Sequence, residues 1–227
     1  MSILSFGNVE AMLFDFEGTL VDFQWRLSEA VEETLKMLSE MGLSKECIQS
    51  RKYSTLMPEA MQMAAKIGLP PDRVRERIGL VYDRYDEDAL TRWSLRPRVK
   101  DFLSALRAKG ISAALVSNVG GKTLSRAASK LGMEGYFDFL VSRNDVVNPK
   151  PSPEGIHMAL ERMGEKRENS VFLGDSLDDV HAARNAGLRV IIIAEGENRR
   201  SEILAAKPDH IVQGYEELLR DMFGVGG

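Results

Sequence analysis

Residues 11–20 read AMLFDFEGTL. The first six make an apolar run of strand length. Such a run, without regular alternation, is expected where a strand is buried on both faces, as in a parallel sheet covered by helices. The run ends in Asp15 and Glu17. A spacing of two puts both carboxylates on one side of an extended chain and turns Phe16 away. Gly18 then permits a sharp backbone turn. The pattern recurs at residues 111–117 (ISAALVS), 137–142 (FDFLVS), 171–174 (VFLG), 188–194 (LRVIIIA) and 210–212 (HIV). Helical patterns separate the runs at 99–109, 122–131, 153–163 and 178–186, and a last one follows at 215–222. Gly110, Gly132, Gly164 and Gly187 stand where helices should stop. Alternating strand and helix predicts an α/β fold with a doubly wound, Rossmann-like parallel sheet.

Residues 23–96 break the alternation. Leu27, Val31, Leu35 and Leu38 share one helical face. Met57, Ala60, Ala64 and Ile67 share a second, and Val74, Ile78, Val81 and Tyr85 a third. The expected organisation is a core from 1–22 and 97–227, interrupted by a helical domain at 23–96. Met37, Met41, Met57, Met61 and Met63 are expected to fill the core of that small bundle.

Composition narrows the function. Thirty basic against 34 acidic residues give a net charge of −4. No basic block is present, which argues against nucleic acid as a partner. The single cysteine, Cys47, allows neither an internal disulfide nor a thiolate metal cluster, and it is read as inert. No apolar run approaches the ~20 residues of a membrane span, and residues 1–13 lack the basic and apolar segments of a signal peptide. The expected location is cytoplasmic. No oligomeric state is defined by these features, and a monomer is the expectation. His157, His181 and His210 lack ligand spacing and are expected in surface or cap roles.

In such sheets ligands bind outside the carboxyl ends of the strands. The first strand run ends in Asp15 and Glu17, the second in Ser117 and Asn118, and the fourth in Gly174-Asp175-Ser176-Leu177-Asp178-Asp179. Lys150 stands between Pro149 and Pro151 on a stiff loop. Clustered carboxylates call for a hard divalent cation, and Mg²⁺ takes carboxylate and phosphate oxygens. A hydroxyl, backbone N–H groups and an ammonium can hold a phosphoryl group. One carboxylate can attack phosphorus, and a second can protonate the leaving oxygen.

The chain resembles the haloacid dehalogenase superfamily in four short motifs that appear in order. Asp15–Leu20 is similar to its nucleophile motif, Asp-x-Asp-Gly-Thr-Leu. Ser117-Asn118 is similar to the second, Lys150 within KPSPE to the third, and Gly174-Asp175-Ser176-x-x-Asp179 to the fourth. The resemblance covers nearly the whole chain, with 23–96 as the family's helical cap, of the phosphoglycolate-phosphatase-like type. It implies a Mg²⁺-dependent phosphatase working through an aspartyl-phosphate on a small phosphorylated metabolite. By resemblance, Asp15 is the nucleophile and a metal ligand. Position 17 gives the metal its backbone carbonyl, and its side chain is the general acid/base. Ser117 and the Asn118 N–H hold phosphoryl oxygens. Lys150 pairs with Asp15 and the phosphate. Asp175 and Asp179 complete the metal site, ahead of Asp178.

Position 17 departs from the pattern, with Glu where the family's phosphatases carry Asp. The extra methylene moves the carboxyl by ~1.5 Å when extended, and misplacement of about 1 Å can cost ~10²-fold in rate. Low but real activity is therefore expected. Other readings fit less well. Gly120-Gly121-Lys122-Thr123 suggests a nucleotide kinase, but the required earlier glycine falls at Val116. A dehalogenase would carry an aromatic residue at 17 and need no metal. A signal receiver would lack the long helical insert. A phosphomutase shares the motifs but relies on an Asp acid/base, and a non-enzymatic phosphate-binding scaffold is the alternative from another class. Trp25, Arg26, Arg92, Trp93 and Arg96 flank the insert and are read as core or surface, with substrate contact as the alternative.

Overall fold

Each apolar run becomes a strand, and the strands assemble in a computed structural model that describes residues 9–44, 48–194, 196 and 198–224. Residues 1–8 and Cys47 lie outside the described residues. Two compact units emerge, Met1–Phe23 with Trp93–Gly227, and Gln24–Arg92.

The first unit holds one six-stranded sheet. Its strands are β1 (Ala11–Phe14), β2 (Ser112–Val116), β3 (Phe139–Val141), β4 (Ser170–Gly174), β5 (Arg189–Ile193) and β6 (His210–Val212). All pair in parallel, in the order β3-β2-β1-β4-β5-β6. From β1 the chain builds outward through β2 and β3, then returns to place β4 on the other side of β1. The direction of winding thus reverses between β1 and β4, and that is where ligands bind in this fold class. Register puts Phe14 opposite Leu115 on one side and Leu173 on the other, so three strands end at one level.

Alternation along β1 feeds two cores. Leu13 packs with Ala114, Val116, Phe172 and Val190 against α6 (Glu154–Met163) and α7 (Leu177–Ala186), through Ile156, Ala159, Val180 and Ala183. Phe14 points to the opposite face and meets Phe102 of α4 (Val99–Ala108) edge-on at 6.3 Å. Phe102 in turn meets Tyr215 of α9 (Tyr215–Phe223) at 5.4 Å. The helix α5 (Gly121–Lys130) follows β2, and α8 (Arg200–Ala206) follows β5.

Most boundaries shift by a residue or two from the sequence pattern. β3 shortens most, to Phe139–Val141, and β1 stops at Phe14 rather than Phe16. There the chain turns so that Phe16 O accepts from the N–H groups of Leu20 and Val21. Among the described residues no helix is long and apolar enough to cross a membrane.

The second unit is α1 (Leu27–Glu40), α2 (Tyr53–Lys66) and α3 (Pro71–Leu90). Its core is aromatic. The Trp25 ring lies 4.7 Å from Tyr53 and 5.6 Å from Tyr82. Its indole N–H donates to buried Asp86 at 2.9 Å, and a hydrogen bond to a charged group of this kind contributes about 1.5–3 kcal/mol. Trp25 is therefore a core residue. Val31, Leu35, Leu38, Met57, Ala60, Ala64, Val74, Ile78 and Val81 are buried as their spacing predicts. Ile67 departs from the pattern. It follows the last residue of α2 and is 53% exposed, because the chain turns away at Gly68 with φ of +76°. Met37 and Met57 are buried, while Met41, Met61 and Met63 are half-buried.

Candidate active site

At the winding reversal, β1 delivers Asp15 and β4 delivers Asp175. The Asp15 N–H donates to Leu173 O at 2.9 Å, so β1 stays fastened to β4 up to the carboxylate. Four residues past Asp175, the first turn of α7 returns Asp179. The Ser176 hydroxyl accepts from Asp179 N, and Asp179 Oδ2 accepts from Asp175 N at 3.1 Å, Ser176 N at 3.0 Å and Ser176 Oγ at 2.7 Å. This reciprocal cap fixes the Asp179 carboxylate against the backbone of Asp175 and Ser176. Asp15, Asp175 and Asp179 are all buried, with carboxylate oxygens within 4.8 Å of one another.

Glycine makes the close approach possible. A Cβ at Gly18 would lie 2.3 Å from Asp175 Oδ2, and the residue has φ of +78°. A Cβ at Gly174 would lie 2.5 Å from the Asp179 side chain, and one at Gly196 would lie 2.4 Å from Asp175. The Thr19 hydroxyl donates to Asp175 Oδ1 at 3.1 Å. Behind it, the Tyr215 hydroxyl donates to Thr19 O at 3.1 Å, and burial holds that phenol well above its ordinary pKa. Arg96 donates to Gly18 O and, at 3.1 Å, to Ala194 O, which ties the turn after β1 to the end of β5.

Lys150 supplies the buried ammonium. Its Nζ donates to Asp15 Oδ1 at 2.5 Å and Asp179 Oδ1 at 2.7 Å. Burial pulls this ammonium down, but the charges and hydrogen bonds of Asp15 and Asp179 outweigh it and hold it above the ordinary lysine value. Asp15 moves the other way from a normal paired carboxylate. Burial raises its pKa, Lys150 lowers it, Asp179 raises it again, and the result is about 6. Three buried carboxylates gathered within 4.8 Å form a set of oxygen donors that fits a hard divalent cation.

Asn118 occupies a place that its motif position does not reveal. Its side chain closes a two-way bond with the Lys150 backbone, Lys150 N to Oδ1 at 3.0 Å and Nδ2 to Lys150 O at 3.0 Å. Arg143 donates to Asn118 O at 2.7 Å. Ser117 directly follows β2, next to β1, with its N–H bonded to Val141 O and its Oγ accepting from Val119 N at 3.2 Å. Gly121 opens α5 directly after this loop and Val116 lies within β2, so the sequence GGKT does not form a nucleotide-cradling loop.

Glu17 stands apart from the carboxylate cluster. Its Oε1 accepts from the Trp93 indole at 2.9 Å. Nothing in the sequence marks Trp93 as a partner of position 17, since the pair is joined only by folding. Thr19 belongs to the first motif but had no role assigned from sequence, and Arg96 and Tyr215 carry no sequence signal beyond their nearness to a helix start. His157 and His181 are exposed and His210 is half-buried. His210 approaches Glu217 and Asp221 at the sheet edge.

Fold and site together define a hydrolase of the haloacid dehalogenase type. Residues 12–193 match the family described as haloacid dehalogenase-like hydrolase, and the chain belongs to that family. It is an enzyme of the family's phosphatase class. Among its relatives is a phosphoglycolate phosphatase of Shigella dysenteriae, 30% identical over 94% of this chain and 92% of the relative. A phosphoglycolate phosphatase of Salmonella typhimurium is 29% identical over 93% and 92%. A haloacid dehalogenase-like hydrolase from Bacteroides fragilis shares the fold with a TM-score of 0.67 at 22% identity, covering 92% of this chain and 99% of that one.

Proposed function

We propose that this phosphatase is a Mg²⁺-dependent phosphomonoesterase that works through an aspartyl-phosphate on Asp15 and acts on a small phosphorylated metabolite. The observation that carries the reading is the buried Asp15–Lys150–Asp179 pairing, with Asp175 alongside, at the winding reversal of the sheet. Asp15, Asp175, Asp179 and the Glu17 backbone carbonyl would hold the metal, which when bound supplies positive charge against the phosphoryl oxygens.

In the first step an Asp15 oxygen attacks phosphorus. The bond from phosphorus to the ester oxygen breaks, and that oxygen takes the proton of the Glu17 carboxyl and leaves as the alcohol. In the second, the Glu17 carboxylate takes a proton from water. The water oxygen bonds to phosphorus, and Asp15 is released with inorganic phosphate. Lys150 keeps Asp15 oriented and offers charge to the phosphoryl group. The Ser117 hydroxyl and the Asn118 N–H supply neutral donors. The Asn118 side chain has the separate task of holding the Lys150 backbone.

The relatives' activity makes 2-phosphoglycolate the first compound to assay, within a panel of small phosphate esters. Phosphate release should need Mg²⁺, stop with EDTA and fall by several orders of magnitude in Asp15→Asn. Turnover undiminished by EDTA, or Asp15→Asn with more than about a tenth of wild-type kcat, would rule the mechanism out.

A further inference from the structure

The bond from Trp93 Nε1 to Glu17 Oε1 joins the proposed proton carrier to a side chain 76 positions away. We propose that Trp93 is a positioning residue that sets the Glu17 carboxyl for proton transfer to the leaving oxygen. This rests on the reading of Glu17 as the acid/base.

Three observations support it. Glu has one more rotatable bond than Asp, and fixing its side chain costs rotamer freedom. A longer carboxyl at position 17 therefore needs a partner to select one rotamer. Second, the partner is itself fixed to the loop that bears the nucleophile. Trp93 is 4% exposed, and its ring stands edge-on to Phe16, between Asp15 and Glu17, at 4.9 Å and 90°. Residues 93–96 run antiparallel beside that loop. Asp22 N donates to Ser94 O at 3.2 Å, Ser94 N to Asp22 Oδ1 at 2.8 Å, and Arg96 N to Leu20 O at 2.9 Å. The indole thus keeps its register with Asp15 through both packing and backbone. Third, indole N–H is a neutral donor with no acceptor. It can bond Oε1 whether Glu17 is protonated or not, so it orients the carboxyl without fixing its charge state. A Lys or Arg at the same place would instead hold the carboxylate in its charged form.

Trp93→Phe keeps a ring against Phe16 and removes the N–H. The readout is kcat/KM on two esters, an alkyl phosphate and nitrophenyl phosphate. An alkoxide needs its proton as it leaves, whereas nitrophenolate hardly does. The variant should lose at least ~10-fold more on the alkyl ester than on the aryl ester, in the range that misplaced acid groups cost. Partial unfolding lowers both rates by one factor and leaves the ratio untouched. In a Glu17→Gln background, adding Trp93→Phe should change the ratio no further, because no transferable proton is left to position.

Equal losses on both esters, or a change in ratio that persists in the Glu17→Gln background, would overturn the proposal. So would Glu17→Gln turning over the alkyl ester like wild type, and that result also removes the acid/base reading itself. A crippled Glu17→Gln beside a Trp93→Phe with unaltered ratio removes the role of Trp93 alone.

Discussion

Asp15 is set apart by its burial. Its carboxyl titrates at about 6 against an ordinary 3.8, chiefly because burial disfavours the charged form. Folding therefore favours the protonated form. The stability this gives is fully present below pH 3.8 and is lost as pH rises through about 6. Asp15→Asn removes that titration. In EDTA, the variant should gain on wild type between about pH 4 and pH 6, by up to about 3 kcal/mol. Urea denaturation at a series of pH values measures the difference, and a flat difference across this window would remove the assigned shift. The same residue was legible in the sequence, since a carboxylate at the end of an apolar run marks a strand terminus. Glu17 was legible as a departure from a motif. Its bond to Trp93 was not, because a spacing of 76 residues leaves no local pattern.

At the scale of elements, the site is made by turns at strand ends rather than by strands. The turn after β1 admits no side chain at Gly18, where a Cβ would meet the Asp175 carboxylate and φ is positive. Gly18→Ala should displace Asp175 or strain the turn, with a cost on the order of 1–3 kcal/mol and a loss of most activity. Thermal melting and phosphate release test both parts, and an unaltered variant would mean that the turn can rearrange. Apolar runs marked all six strands, because burial on both faces writes itself into composition. Their order was not readable, because which strands become neighbours depends on packing of helices on two faces. Most of the interior of the helical insert was readable from 3.6-residue spacing, but Leu27 and Tyr85 are half-buried, and α2 ends before Ile67, where the periodic reading ran one residue too far.

For the whole molecule, the strand-end residues of the four motifs come from segments far apart in sequence, and the sheet brings them to one edge. The order of the motifs suggested this, but the Asn118–Lys150 clamp and the Arg96 tie between loops are products of tertiary structure and had no sequence signature. A site that gathers three buried carboxylates should be relieved by a divalent cation. Saturating Mg²⁺ should therefore raise the melting temperature. At a hundredfold excess over Kd the gain is about 2.7 kcal/mol, and Asp175→Asn should abolish most of it. An equal shift in both proteins would place the ion elsewhere. The most direct test of the central claim is rapid acid quenching of the enzyme during turnover of a phosphate ester with Mg²⁺, followed by mass spectrometry of the peptide containing residues 11–20. The account predicts the added mass of one phosphoryl group on Asp15, absent in Asp15→Asn. Steady phosphate release with that peptide unmodified at every quench time, or an equally labelled Asp15→Asn protein, would contradict it.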